Sequence, residues 1–308
     1  MKRKMSVERI NNPRGSARSM VIAMAMIGLI DNYVSIIAEY SSLWQFFALR
    51  TVMAVPFIAL LSLFGFGSMK VKSLWRVGVR GALLALGMLF YFGALGFMSI
   101  SLALAGLFTA PLFVLLISVF LLKQRIGPRR IMAVALGFIG ILVVIGPNFQ
   151  DLGLSLIMPV IGGFLYACGS LATRELCEGE ENFAMLWVMF MIQAIIGLIG
   201  LALVALINPV APVGGDGFLL RGWVWPMGPA TLWIIVQAFG SVIAVSFLIR
   251  AYQLAEASHA TVFEYTVFVF GPLFAWLLFG ETLGLQEALG IVLIASAGLI
   301  IAFRSGNG

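Results

Sequence analysis

Ten apolar runs, each close to the length of a membrane span, dominate this sequence: 19–38, 43–64, 76–97, 102–122, 129–147, 154–174, 183–207, 228–250, 259–279 and 284–303. A helix crosses the ~30 Å hydrocarbon core of a bilayer with about 20 predominantly apolar residues. A barrel strand would be about half that length and would alternate apolar and polar positions, which these runs do not. The connections are mostly short and leave no room for a soluble domain. Composition agrees, with 62% hydrophobic and 10% charged residues, against roughly 25% charged in a soluble domain. The expected fold class is an all-α polytopic membrane protein with ten transmembrane helices, its outer surface covered by lipid.

The cations give the orientation. The arm before the first span carries Lys2, Arg3, Lys4, Arg9, Arg14 and Arg18. The second and fourth connections carry Lys70, Lys72 and Arg76, and Lys123, Arg125, Arg129 and Arg130. With Arg174, Arg250 and Arg304, sixteen cations fall on one side, Arg221 alone on the other, and Arg50 and Arg80 within spans. Positive loops stay inside, so both termini are expected in the cytoplasm, with the chain in a bacterial inner membrane. The acidic loop of Glu175, Glu178, Glu180 and Glu181 does not reverse this, because acidic residues count little in the rule. The net charge of +6 is thus a topology signal and not a nucleic-acid one. The first run is of spanning length and lacks a small-residue cleavage site, so it reads as an uncleaved anchor. Cys168 and Cys177 suggest no disulfide.

The chain also resembles itself. A shift of 157 residues brings Ala94 onto Ala251, Ser101 onto Ser258, Ala103 onto Ala260, Thr109 onto Thr266 and Gly127 onto Gly284. Spans three to five thus map onto spans eight to ten, and by subtraction one and two onto six and seven. Five spans is an odd number, so the second copy enters the membrane from the opposite side. Inverted repeats of this kind tend to bind solutes near the midplane and to alternate access. The expected organisation is a basic arm (1–18), a first five-helix repeat (19–149), a second (150–303) and a short tail (304–308).

The second half carries Phe263-Glu264-Tyr265-Thr266 and then Trp276-Leu277-Leu278-Phe279-Gly280-Glu281; the first carries Ala94-Leu95 and the Thr109-Ala110-Pro111 turn. On these residues the chain resembles the drug/metabolite transporter superfamily, in the branch with paired EamA-type domains, over about residues 19–303. Lys123-Gln124 stands in the first repeat where the second has Gly280-Glu281, a departure from the Gly-Glu pair frequent in the family. The Phe-Glu-Tyr-Thr stretch is also similar to exporters of aromatic and other neutral amino acids. The resemblance implies ten helices, cytoplasmic termini and a central cavity lined chiefly by helices one, three, four, six, eight and nine.

Ionisable groups inside spans cost at least ~2.5 kcal/mol, so each needs a reason. Asp31 and Arg50 fall at nearly the same depth and are expected either to form an interhelical ion pair or to leave Asp31 free for a substrate amine or a proton. Glu264, with Tyr265 and Thr266, makes a polar patch early in span nine, which His259 starts. Asn32, Tyr33, Tyr91, Tyr166 and Gln237 complete the candidate cavity residues, since tyrosines and amides can hydrogen-bond a zwitterion while rings hold an apolar body. Gln193 lies on span seven, which the resemblance makes peripheral. Packing within the bundle or facing lipid is the competing reading for each. Pro56, Pro111, Pro159 and Pro272 are expected inside spans two, four, six and nine, as kinks that could gate a cavity. Small pairs such as Gly81/Ala85, Ala133/Gly137 and Gly163/Ala167 fit close helix packing.

The expected function is a secondary transporter that exports small metabolites, foremost aromatic and other neutral amino acids, by alternating access. Its partners would be the small solute and the lipid bilayer, with no nucleic acid, metal or cofactor. No GxxxxGK[ST] loop occurs, so ATP does not drive this chain. An exporter of drugs or quaternary cations is the alternative within the superfamily. A membrane-embedded enzyme is the alternative outside it, disfavoured by a single histidine with no glycine-flanked serine motif.

Overall fold

The computed structural model describes residues 11–94, 98, 100–145, 157–280 and 284–302. They form ten helical spans: α1 (Pro13–Asp31, continued by Val34–Tyr40), α2 (Leu43–Leu63), α3 (Leu74–Ala94), α4 (Ile100–Leu107, continued by Ala110–Phe120), α5 (Pro128–Ile145), α6 (Ile157–Glu175), α7 (Asn182–Ile207), α8 (Ala230–Leu254), α9 (Ala257–Ala260, a 3-10 turn Thr261–Thr266, then Val267–Phe279) and α10 (Leu285–Ala302). Seven of these, α1–α4 and α7–α9, are long and apolar enough by themselves to cross a membrane. The N-terminal cations Lys2 to Arg9, together with Glu281 and Arg304, lie outside the described residues.

The expected boundaries shift by a few residues except at α1. That helix starts at Pro13, because Asn12 accepts the Gly15 N–H at 2.9 Å and proline suits a first turn. Arg14 and Arg18 therefore sit on the helix and not in an arm. α3 is capped from a distance. Glu180 accepts the Lys72 and Ser73 N–H groups at 2.9 and 2.7 Å, placing a carboxylate on a helix N-terminus. That gives one of the four acids of the 174–182 loop a purpose.

The packing carries the repeat. α1 lies on α8 and α9, while α6 lies on α3 and α4; α2 packs on α8 as α7 packs on α3; α2 with α7 and α5 with α10 are self-matched pairs. Adding five to a helix number converts each pairing into another, as two inverted five-helix repeats require. Helices meet at small residues. A Cβ on Gly87 would lie 3.0 Å from the Gly162 carbonyl and one on Gly162 3.0 Å from the Gly87 carbonyl, so α3 and α6 touch backbone to backbone. Gly28 against Gly271 does the same for α1 and α9. The expected pairs also serve packing: Gly81 faces Met189 and Ile192 of α7, and Gly137 faces the Tyr265 ring. Outward faces carry exposed side chains such as Leu60, Leu63, Leu198, Leu203 and Leu206, a surface that only lipid covers at low cost.

One of the four prolines is not where a kink was expected. Pro56 and Pro272 are inside α2 and α9. Pro111 instead opens the second half of α4, where proline suits a first turn, and Pro159 is the third described residue of α6. Both cysteines are free. Cys177 is buried in the 176–181 connection, and burial pushes its thiol up to about 11, leaving it neutral at ordinary pH.

Candidate substrate cavity

Three helices are interrupted near their middles, and the breaks decide which side chains face inward. α1 stops at Asp31 and resumes at Val34. The Gln237 carboxamide on α8 spans the gap, donating to the Ile30 carbonyl at 3.0 Å and to Asp31 Oδ1 at 3.1 Å. α4 breaks at Phe108–Thr109, where Pro111 has no N–H to return to the Leu107 carbonyl. α9 passes through a 3-10 turn at the equivalent place. Thr109 and Thr266, related by the 157-residue shift, each donate a hydroxyl to the carbonyl three residues back, at 2.7 Å in both cases.

Between these breaks lies a cavity of about 80 Å³. Asp31, Tyr91, Tyr166 and Gln237 line it, as does Arg50. Met24, Ile27, Ile30, Leu84, Met88, Phe92, Leu107, Phe108, Met189 and Leu248 make the rest of the wall largely apolar. Asp31 and Arg50 do not form the direct ion pair that their common depth suggested. Asp31 bonds Gln237, while Arg50 Nε donates to Ser241 Oγ at 3.1 Å. The guanidinium lies 5.5 Å from the Phe46 ring centroid and 5.2 Å from that of Phe190, whose π faces replace part of its lost hydration. The two charges attract across the cavity without touching.

Several polar atoms of the wall have no protein partner. Arg50 Nη1, the Tyr91 hydroxyl and both amide atoms of Gln193 are buried and unbonded. Buried polar atoms are normally satisfied, and here several such atoms are gathered on one cavity wall. Gln193 and Ser241 were not anticipated. Gln193 was set aside because its helix was taken as peripheral, yet α7 crosses α3 and presents this one amide inward. A glutamine within an otherwise continuous apolar run was the signal that could have found it.

Five other candidates sit elsewhere. Asn32 donates to the Gly28 and Gly271 carbonyls at 2.7 and 3.3 Å, tying α1 to α9. Tyr33 stacks on Trp233 with ring centroids 3.5 Å apart. His259 is buried at the start of α9, its ring 5.5 Å from that of Phe263. Tyr265 turns toward Gly137 on α5. Glu264 lies beside Tyr166, which lines the cavity and donates its hydroxyl to Glu264 at 3.4 Å. Arg80, read from sequence only as a cation within a span, is fully buried and bonded to Thr173 and to the Met185 carbonyl, at 3.0 and 3.1 Å.

Two belts of cross-bundle bonds lie above and below. At the end where the basic loops gather, Arg130 pairs with Glu256 and bonds Ser258, Arg174 donates to the Gln253 carbonyl, and Ser16 donates to the Ala251 carbonyl at 2.8 Å. At the other end, Arg221 donates to the Ala38, Glu39 and Ser41 carbonyls, and Gln45 exchanges two 2.9 Å bonds with Val224. No group of His, Cys, Asp and Glu that could hold a metal occurs among the described residues.

Comparison with known proteins agrees with this architecture. The model of the EamA-like transporter family matches residues 17–146 and again 153–303. A riboflavin transporter of Rhizobium johnstonii is 28% identical over 91% of this chain and 87% of its own length. An S-adenosylmethionine uptake transporter of Rickettsia prowazekii is 23% identical over 83% of this chain and 80% of its own. A solved crystal structure superposes with a TM-score of 0.73 over 95% of this chain and 98% of that one, at 16% identity, which speaks for the fold alone.

Proposed function

The chain belongs to the EamA-like transporter family, within the drug/metabolite transporter superfamily, and from that premise we propose a secondary transporter of small zwitterionic solutes with an apolar or aromatic body. One observation carries the reading. Asp31 and the unbonded Nη1 of Arg50 face one largely apolar chamber without neutralising each other. A solute ammonium suits the carboxylate, a solute carboxylate suits the guanidinium, and the apolar wall suits a side chain between them. Aromatic and other neutral amino acids are the simplest solutes of that form, and export is the direction proposed.

The cavity is smaller than the ~300–1,000 Å³ of ordinary ligand sites, so the chamber widens to load. The Arg130–Glu256 belt parts to admit solute from the side of the basic loops, which we take as the cytoplasm of a bacterial inner membrane. It then closes, and the Arg221 belt parts to release the solute outside. The driving force is the solute's own gradient or an ion's, since no nucleotide-binding motif is present. A second reading takes its support from the relatives. Riboflavin and S-adenosylmethionine both join an aromatic ring system to polar groups, and a wider chamber of the same polarity suits either.

Counterflow in proteoliposomes tests both readings. The amino acids, riboflavin, S-adenosylmethionine and a set of quaternary cations are offered against each trapped solute. Exchange of aromatic and large neutral amino acids is expected. Asp31→Asn and Arg50→Gln should each lower it about tenfold or more, the equivalent of ~1.4 kcal/mol. Exchange of riboflavin or S-adenosylmethionine but of no amino acid selects the second reading. Exchange of quaternary cations alone overturns both.

A further inference from the structure

Glu264 has no exposed surface and sits in the 3-10 turn of α9. Its Oε1 accepts hydrogen bonds from the hydroxyls of Tyr252 on α8 and Tyr166 on α6. Its Oε2 makes no hydrogen bond, although the Thr261 hydroxyl of the same turn interacts with the carboxyl. The turn packs against α1, α5, α10, the second half of α4 and the remainder of α9. Among the described residues none of these elements brings a cation to the carboxyl. Arg130 of α5 is held by Glu256 and Ser258, and Tyr265, beside Glu264 in sequence, turns its ring to Gly137. Arg80 interacts electrostatically with Tyr166 and is bonded to Thr173 and to the Met185 carbonyl. A carboxylate so placed would be an uncompensated ion in a medium of low dielectric, far costlier than a neutral carboxyl with one unbonded oxygen.

We propose that Glu264, cradled by Tyr252 and Tyr166, is a proton-binding site distinct from the solute cavity and linked to it through Tyr166. In the closed bundle the carboxyl holds its proton. When a belt parts and water reaches the 3-10 turn, the carboxyl O–H breaks. The proton passes to water, leaving a carboxylate that the two phenol hydroxyls stabilise, and closing requires a proton to return. Tyr166 is wall on one side and donor on the other. A solute pressing on its ring therefore alters the hydrogen bond that holds Glu264, and the proton's state biases the wall in return. The second copy of this place, Leu107 in α4, has no acid, so the two repeats are unequal here.

The coupling to solute rests on the transport reading; the proton itself does not. Infrared difference spectra of the purified full chain in lipid, without solute, are taken between about pH 5 and 9 for the wild type and Glu264→Gln. The expected result is a protonated-carboxyl C=O band that disappears with rising pH, is absent from Glu264→Gln and persists in Asp31→Asn. If Glu264→Gln does not fold, Tyr166→Phe and Tyr252→Phe serve instead, since each removes one donor and should displace the same band. No such band, or one indifferent to both tyrosine changes, overturns the proposal. So does a band that does not change with pH. In proteoliposomes an imposed pH gradient should drive net solute movement by the wild type and not by Glu264→Gln. Wild-type movement indifferent to the gradient overturns the coupling. Failure of counterflow for every solute overturns the transport reading and leaves the infrared result standing.

Discussion

α4 and α9 occupy equivalent places in the two repeats and are interrupted at the same point, ahead of Thr109 in one and Thr266 in the other. The backbone device is shared, with a threonine hydroxyl returned to the carbonyl three residues back at 2.7 Å in each. The chemistry at the break is not. In α4 the residues before the threonine are Leu107 and Phe108, which lie on the cavity wall. In α9 they are Glu264 and Tyr265, which point away from it into hydroxyls and helix packing. Repetition thus supplied a scaffold with two breaks, and substitution turned one into an apolar wall and the other into a buried acid site.

Three measurements can break or sharpen that contrast. The largest effect is expected where the break in α4 is closed by backbone. A Cβ on Gly163 would lie 2.7 Å from the Leu107 carbonyl and 2.8 Å from that of Gly106. Gly163→Val should therefore cost about 3 kcal/mol, the upper range for overpacking, and show as a lowered melting temperature in detergent. The atoms nearest a Cβ on Gly137 belong to the Tyr265 ring of α9, so Gly137→Val should be partly rescued by Tyr265→Leu; no side-chain change should rescue Gly163→Val. Rescue of both, or of neither, would mean that the two breaks are held in the same way.

An intermediate effect is expected from exchanging the chemistry. Glu264→Leu gives α9 the residue of α4 but strands the hydroxyls of Tyr166 and Tyr252, at a cost of roughly 1–3 kcal/mol. Leu107→Met, in the cavity wall, should cost less than about 1.5 kcal/mol. Equal melting shifts for the two would erase the distinction. The smallest effect tests the shared device. Thr109→Val and Thr266→Val each remove one hydrogen bond and should each cost about 1 kcal/mol. A neutral result at one and a loss at the other would show that the common geometry carries unequal weight.

Much of this was legible in the residues. The ten spans came from apolar length, and the Thr109-Ala110-Pro111 turn marked the interruption of α4. Asp31, Tyr91, Tyr166 and Gln237, polar residues on helices that the family resemblance places at a cavity, line one here. The break after Asp31 was not legible, since Asn32 and Tyr33 carry no glycine or proline to announce it; a carboxamide from α8 bridges the gap. The same holds for the 3-10 turn at Thr261–Thr266, where the polar patch was visible but its unwinding was not. Gln193 was misjudged because its place depends on how α7 crosses α3, not on its own neighbours in the chain.

By itself the sequence determined how many times the chain crosses the membrane and that it repeats, because transfer of an apolar run into lipid is a sum over its own residues and five spans must invert the second copy. Only the tertiary structure decided which polar groups meet. Successive helical residues point about 100° apart, so a break displaced by one position would have turned Glu264 from its tyrosines or Asp31 from the cavity. The ion pair that depth alone suggested became two separate anchors for the same reason: depth places a residue along the membrane normal, whereas contact also needs the rotation that packing sets.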